Sequence, residues 1–167
     1  YVVHRLDMET SGAVLFAKNP FILPILNRLL EDKMIQRQYW ALTEGKFQTK
    51  KTVYKDKIGR DRHDRRKRVV DPRKGQSAYT TVSRLKTFKG ASLVNCQLKT
   101  GRTHQIRVHL SHHGHAILGD PLYSHQPASR LMLHAHSLSF THPLTLEKVT
   151  VKVKSESFEQ VLRNHKS

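Results

Sequence analysis

The stretch that decides how this chain folds is His4-Arg5-Leu6-Asp7-Met8-Glu9-Thr10-Ser11-Gly12. It follows an apolar start at residues 1–3, which we expect to be a strand, and it ends in a polar turn. The apolar residues 13–17 come next, and we predict that they return as a buried strand. Side chains alternate along an extended chain, so Arg5 is expected on the same side as Asp7. The stretch therefore predicts a carboxylate beside a cation, at a turn between strands.

The charge balance indicates a polyanionic partner. The 167 residues include 30 Lys and Arg against 13 Asp and Glu, a formal net charge of +17. An excess of this size cannot be neutralised within the chain, and nucleic acid is the usual partner. A membrane surface fits less well, because no segment approaches about 18 unbroken apolar residues and no strongly amphipathic basic helix is visible. We therefore predict an RNA or DNA partner and no membrane association.

A second polar stretch, Thr100-Gly101-Arg102-Thr103-His104-Gln105-Ile106-Arg107, places two arginines on a glycine-led turn that opens a helix. We predict this helix over residues 103–113, with Gly114 as its C-cap. Exposed amide N–H groups at the start of a helix favour a phosphate. Arg102 and His104 are therefore predicted RNA contacts, although His104 could equally cap the helix or pack locally.

Residues 59–75 differ from the rest of the chain in composition. The segment 59–68 is dominated by charged residues and has no apolar face, so we predict a mobile basic loop. A solvated surface loop is the ordinary explanation, but the density of arginine favours contact with phosphates. The loop residues predicted to contact RNA are Arg60, Arg62, Arg65, Arg66 and Arg68.

Apolar patterning elsewhere predicts an α+β fold. We expect a helix over residues 19–33, introduced by Asn-Pro, and a short last helix that begins with a capping box of Ser157 and Gln160. Strands are predicted at residues 38–46, 51–58, 78–85, 91–98, 131–140 and 146–153. Two of them form an antiparallel hairpin around Lys89-Gly90. The expected architecture is a mostly antiparallel mixed sheet with a few helices packed on it, in one domain over residues 1–167.

Cysteine usage indicates where the protein works. Cys96 is the single cysteine, so no intrachain disulfide can form and a reducing compartment such as the cytoplasm is expected. Cys96 lies in an apolar strand pattern, where a buried inert thiol is favoured over a nucleophile.

Twelve histidines raise the question of a metal site. Four of them lie close in sequence, His109, His112, His113 and His115, and His134 and His136 lie further on. Carboxylates are scarce around them, and neither a Cys-x-x-Cys nor a His-Glu-x-x-His pattern occurs. We therefore predict no metal, and a metal-dependent nuclease built on these histidines remains an alternative. Glycine-rich nucleotide-binding motifs are absent from the sequence, so we predict no nucleotide cofactor.

The two polar stretches, residues 4–12 and residues 100–107, resemble the motifs of the RluA family of RNA pseudouridine synthases. The similarity extends from about Val2 to His142. It implies the pseudouridine synthase catalytic fold, acting on structured RNA with no cofactor and no metal. Catalytic domains of the family carry a segment before the first motif, so the resemblance implies a catalytic domain truncated at its N-terminus, with no separate RNA-binding domain.

The resemblance also implies roles for individual residues. Asp7, which alone would be read as a turn-capping side chain, matches the catalytic aspartate. Arg107 matches the arginine that pairs with that aspartate, although the residues by themselves allow Arg5 to supply the cation as well. Tyr39 matches a tyrosine whose ring packs on the target base and whose hydroxyl assists proton removal. Arg5 is expected to contact the flipped nucleotide or the space that it leaves, and His4 is grouped with it as an RNA contact.

The predicted function is isomerisation of a specific uridine in structured RNA, ribosomal or transfer RNA, to pseudouridine. The uridine flips out, and Asp7 starts the reaction by attacking the base or by acting at the sugar; both routes stay open. We expect a cytoplasmic monomer. The alternative is a catalytically silent relative that binds RNA during ribosome assembly, which would need no combination of Asp7, Tyr39 and Arg107.

Overall fold

One seven-stranded sheet organises the chain in a computed structural model, which describes residues 1–166. In chain order the elements are β1 (Ser11–Gly12), α1 (Leu23–Glu31), β2 (Gln36–Glu44), β3 (Lys51–Tyr54), β4 (Ile58–Arg60), β5 (Arg68–Val70), β6 (Thr80–Phe88), β7 (Ala91–Leu98), α2 (Gln105–His112), β8 (Leu133–Thr141), β9 (Lys148–Lys152) and α3 (Glu156–Asn164). The sheet order is β1-β8-β2-β7-β6-β3, with β9 also paired to β8.

Strand pairing in this sheet is antiparallel except between β1 and β8. The α+β fold with a mostly antiparallel sheet is therefore confirmed. The central strands β2 and β7 are rich in apolar residues, and Ala41, Leu42 and Val94 are completely buried. Helix α2 adds Ile106 and Leu110 to the same core, and α3 adds the fully buried Phe158. Burial of these side chains stabilises the sheet and fixes α2 beside it.

Several local predictions are confirmed. Strands β6 and β7 form the expected antiparallel hairpin, and Gly90 at its turn has φ +74°, a conformation that glycine adopts without strain. Gly114 follows α2 with φ +83°, and the His115 amide donates to the Leu110 carbonyl, so the helix ends at a left-handed glycine as predicted. Cys96 is fully buried, and burial raises the pKa of its thiol to about 12.

The predicted buried strand over residues 13–17 is wrong. The neighbouring residues Ser11 and Gly12 pair with β8 instead, and the apolar segment contributes only an isolated bridge between Val2 and Phe16. Phe16 is 57% exposed, and within this segment Ala17 is the buried residue. An apolar run this short is compatible with a strand but does not require one.

The segment predicted as a mobile basic loop over residues 59–68 is in part a hairpin. Strands β4 and β5 pair at its two ends, in register Gly59 to Val69, and residues 61–67 form the turn between them. Ile58 and Val70, at the base of this hairpin, pack against Val108 of α2. The turn is ordered by Asp61, whose carboxylate accepts the amide N–H groups of residues 63 and 64.

Two helices, α1 and α3, differ from prediction at their N-terminal ends. Asn19 accepts the amides of residues 21 and 22, but this makes a turn and α1 begins later, at Leu23. The last helix is capped by Ser155, which accepts the Phe158 amide, so the predicted capping box of Ser157 and Gln160 is wrong. Among residues 1–166, no helix combines the length and the apolar character that crossing a membrane requires.

Candidate active site

The turn that carries Asp7 is anchored on both sides. Before it, His4 is buried and its Nε2 accepts the Leu15 amide at 3.1 Å. After it, the Thr10 amide donates to the Asp7 carbonyl, and Gly12 lies against Ala135 of β8 with φ +127°. A Cβ atom on Gly12 would lie 2.3 Å from the Ala135 carbonyl oxygen, so only glycine fits. The backbone around Asp7 is therefore fixed, and its side chain is 27% exposed.

Helix α2 places Arg107 beneath Asp7. The Arg107 Nη1 donates to Asp7 Oδ2 at 3.3 Å, while its Nε and Nη2 donate to the two oxygens of Asp120 at 2.8 Å each. The Arg107 side chain is 6% exposed. Burial alone would lower the pKa of Arg107, but the hydrogen bond to Asp120 and the charges of Asp120 and Asp7 raise it above its ordinary value. Arg107 thus stays charged and presents one N–H edge to Asp7.

Asp120 is a residue of this site that the sequence analysis missed. Its side chain is completely buried, and it also accepts the amide N–H groups of Leu122 and Tyr123. A Gly119-Asp120-Pro121 sequence indicates only a turn. The signal that could have revealed it is the need for a carboxylate partner whenever an arginine is buried on a helix.

A cavity of about 1110 Å³ opens over Asp7 and Arg107. Seven of the predicted site residues line it: His4, Arg5, Asp7, Arg66, Arg102, His104 and Arg107. A small neighbouring cavity of about 70 Å³ shares five of them and adds Tyr39, Ile106 and Leu133. The structure therefore brings the three predicted catalytic residues to one place, with cations around them.

Tyr39 forms an inner wall of this site from strand β2. It is 6% exposed, and burial raises the pKa of its hydroxyl above the usual value; the Arg37 charge lowers it and the Asp7 charge raises it further. At neutral pH the hydroxyl is therefore protonated. A neutral phenol can offer a ring face and a hydrogen bond, and it is a poor proton acceptor.

A chain of hydrogen bonds connects the basic hairpin to the site. The Arg68 amide donates to the Tyr123 hydroxyl at 2.8 Å, and that hydroxyl lies 2.8 Å from His104 Nδ1. Burial, together with the Arg107 charge, lowers the pKa of His104 and so favours the neutral form of the ring that bonds Tyr123. His104 itself has φ +57° at the start of α2. Its packing against Tyr123 agrees with the local role left open by the sequence.

The hairpin arginines differ in position. Arg66 lines the large cavity and is paired with Asp64 at 2.9 Å. Arg68 donates to backbone carbonyls of its own turn. Arg60, Arg62 and Arg65 are exposed and lie outside the cavity lining. RNA contact by each hairpin arginine stays a prediction.

Three other predicted RNA contacts differ in their burial and in their hydrogen bonds. Arg5 is exposed in the mouth of the cavity, and Arg102 donates from Nε to the Ser77 carbonyl at 2.8 Å. His4 is 8% exposed, and burial followed by the Arg37 charge lowers its pKa to about 4. Its anchoring to Leu15 accounts for its burial, and RNA contact by His4 also stays a prediction.

The histidines are distributed among separate surroundings. His109 is fully buried and bonds Thr80 Oγ1 and the Asp56 carbonyl at 2.8 Å each, so it is a satisfied core histidine. Asp56, His112 and His113 do come together, with potential ligand atoms within 4.8 Å of one another. His113 Nε2 already lies 2.6 Å from the Asp56 carboxylate. This group is outside the lining of both cavities at Asp7.

The site places a carboxylate among cations suited to phosphates, an arrangement typical of enzymes that modify nucleic acids. A family model described as RNA pseudouridylate synthase matches residues 1–112. The chain belongs to this family, whose members are isomerases, and the resemblance in its two motifs is confirmed.

Individual relatives agree with this assignment. The chain is 44% identical over 154 residues to an uncharacterized RNA pseudouridine synthase, YhcT, of Bacillus subtilis, covering 90% of this chain and 51% of that protein. It is 38% identical over 172 residues to the ribosomal large subunit pseudouridine synthase D of Neisseria meningitidis serogroup A, covering 89% and 43%. The solved structure of human RNA pseudouridylate synthase domain containing 1 superposes with a TM-score of 0.80 at 30% identity, covering 92% of this chain and 68% of that one. The chain thus spans about half the length of the curated relatives it matches.

Proposed function

We propose that the protein is an RNA pseudouridine synthase that isomerises a uridine in structured RNA without a cofactor. The observation that carries this proposal is the Asp7 carboxylate, held 3.3 Å from Arg107 Nη1 in a cavity rimmed by cations. Phosphates supply the charge that such a rim attracts, and a carboxylate among them is suited to a reaction on the nucleotide. We also propose that the protein acts as a monomer in a reducing compartment such as the cytoplasm, which suits its single, buried cysteine.

The reaction requires the target nucleotide to leave its helix or loop. A uridine inside a duplex is inaccessible to Asp7, so it must flip into the cavity, with Arg5 at the mouth to fill or contact the vacated position. Its base then packs near Tyr39. Asp7 acts on the base or at the sugar, the bond between C1′ and N1 breaks, and the uracil turns within the cavity. A bond forms between C1′ and C5, the C5 proton is lost and N1 gains a proton, so the product is an isomer of the substrate.

Ribosomal RNA is the substrate class that we favour over transfer RNA. The support comes from relatives named as ribosomal large subunit pseudouridine synthases C and D, which match about nine-tenths of this chain. Both substrates share phosphates and flippable uridines, so the cavity chemistry itself fits either.

Tritium release tests the proposal directly. RNA transcripts carrying tritium at C5 of uridine, one set ribosomal and one set transfer RNA, are incubated with the protein at its natural length. Release should depend on Asp7 and be lost in Asp7→Asn, while Asp32→Asn, an exposed carboxylate on the end of α1, should behave as wild type. Equal release from the Asp7→Asn variant would refute the role of Asp7. RNA binding without release from any unmodified transcript would favour the silent RNA-binding alternative.

A further inference from the structure

Arg37 is a buried arginine of strand β2 that has no role in the reaction described above. It is 9% exposed, and it precedes Tyr39 by two positions. Residues i and i+2 of a strand point to the same face. Arg37 therefore lies on the face of β2 that carries Tyr39, and it lines both cavities at Asp7.

The guanidinium of Arg37 has no ionic partner within residues 1–166. Its Nε is buried without a hydrogen bond, and no carboxylate oxygen lies within 4.0 Å of it. Arg107, on the neighbouring helix, has two carboxylate partners. Burial lowers the pKa of Arg37, although arginine keeps its charge in proteins. A buried charge without a counterion is costly, so its presence at a cavity indicates an anion that comes from outside the protein.

The cavities that Arg37 lines provide space for such an anion, and neighbouring residues add donors and positive charge. Gly101 lies against it: a Cβ at that position would be 2.9 Å from Arg37 Nη1. His4 lines the same cavity, and its Nδ1 is also buried without a partner. Because His4 Nε2 accepts the Leu15 amide, Nδ1 carries the proton of the neutral ring and is a free donor. Lys99, exposed on the same wall, adds a second positive charge.

We propose that Arg37 and His4 form a subsite for one backbone phosphate of the bound RNA, next to the nucleotide whose base packs at Tyr39. The subsite rests on the proposed function only in that RNA occupies the cavity. Uracil is neutral and a ribose hydroxyl carries no charge, so the phosphate is the group of RNA that neutralises a guanidinium. A phosphate bound beside Arg37 would orient the nucleotide.

Nuclear magnetic resonance of the Arg37 side chain tests the ligand class. The Nε–H signal of Arg37, assigned by its loss in Arg37→Lys, is followed during additions of uridine 3′,5′-bisphosphate, inorganic phosphate or uridine. A phosphate subsite predicts that both phosphate-bearing probes shift the signal and that uridine does not. An equal shift with uridine would assign Arg37 to the base, and no shift with the bisphosphate while signals of Tyr39 move would also overturn the subsite.

The salt dependence of RNA binding gives a second test. Binding of a labelled uridine-containing RNA stem–loop is measured at several salt concentrations for wild type, Arg37→Gln and the control Arg28→Gln. Arg28 is a surface arginine with a side chain 76% exposed. Loss of one phosphate contact should reduce the slope of log K against log salt by about 0.7 to 0.9 in Arg37→Gln. The control slope should equal that of wild type, and equal slopes for all three proteins would overturn the subsite.

The Gly101→Ala variant changes the position of the Arg37 guanidinium without removing its charge. The added methyl meets the flexible end of Arg37, so the fold should survive while the guanidinium is displaced. We expect weaker RNA binding with circular dichroism unchanged; unchanged binding would contradict the subsite. All these readouts are binding measurements. Tritium release with unaltered salt slopes would refute the subsite alone, whereas altered slopes without release would refute the isomerase alone.

Discussion

Arg107 is held more tightly by Asp120 than by Asp7. Its Nε and Nη2 reach the two Asp120 oxygens at 2.8 Å each, in the paired geometry that suits guanidinium and carboxylate, while the contact to Asp7 is single and 3.3 Å long. Asp120 therefore positions Arg107, and Arg107 in turn has one N–H free to orient Asp7. The Asp7 carboxylate is partly exposed, so it remains accessible for reaction.

The first prediction concerns this positioning. Asp120→Asn keeps an oxygen for the amides of Leu122 and Tyr123 but removes the charge that balances buried Arg107. Removing one partner of a buried ion pair typically costs about 3–5 kcal/mol, so the free energy of unfolding in urea should fall by that order. Tritium release should fall as well, because Arg107 loses its orientation. Asp32→Asn is the exposed control, and equal stability of the two variants would show that Asp120 does not balance Arg107.

A double variant separates stability from catalysis. Arg107→Met alone leaves Asp120 buried and uncompensated, so it too should destabilise by about 3–5 kcal/mol. Combining it with Asp120→Asn removes both charges, and the double variant should be more stable than the sum of the single losses predicts. It should nevertheless be inactive, since nothing orients Asp7. Additive stability losses, or activity recovered together with stability, would contradict the arrangement.

The third prediction concerns the turn next to Asp7. Gly12→Ala must strain both the backbone at φ +127° and the contact with Ala135. We expect a loss of about 2–3 kcal/mol in unfolding free energy together with reduced tritium release, because Asp7 lies on the adjoining turn. Gly90→Ala is the matched control: its φ is +74° but a Cβ there meets nothing within 4 Å. A cost for Gly12→Ala no greater than for Gly90→Ala would show that the contact is unimportant.

The features that the sequence predicts correctly are those that depend on residues close together in the chain. Hairpin β6–β7 and the end of α2 depend on adjacent residues, in which Gly90 and Gly114 occupy left-handed conformations, and both were correctly predicted. The two motifs also specify the residues that meet at the cavity. The proximity of Asp7 and Arg107, 100 positions apart, came from resemblance to a family, because no local pattern reports a contact over that separation.

The misses have a common physical cause, which is tertiary contact. Hairpin β4–β5 lacks an apolar pattern of its own, and its order depends on packing of Ile58 and Val70 against α2. Asp120 resembled an ordinary turn residue until its burial against Arg107 was visible. Arg37 gave no signal either, because an arginine beside a strand tyrosine normally lies in solvent; only its burial without a partner marks it.

The last prediction is that stability decreases below neutral pH partly through His4. Burial and the Arg37 charge lower the pKa of His4 to about 4, against an ordinary value of 6.5. Folding therefore favours the neutral ring, so its contribution to stability is complete above pH 6.5 and is lost as the pH falls from 6.5 towards 4. Within that window one such group contributes a slope of up to about 1.4 kcal/mol per pH unit. His104, His109 and His136, whose pKa values are also lowered, add slopes of the same sign.

His4→Gln isolates this contribution. The glutamine side-chain oxygen can accept the Leu15 amide in place of Nε2, and glutamine does not titrate. Urea unfolding at pH 7, 6, 5 and 4.5 should therefore show a shallower loss of stability in His4→Gln than in wild type. His125→Gln, an exposed histidine, should follow the wild-type curve. Parallel curves for His4→Gln and wild type would mean that His4 titrates equally in the folded and unfolded chain, contrary to its buried position beside Arg37.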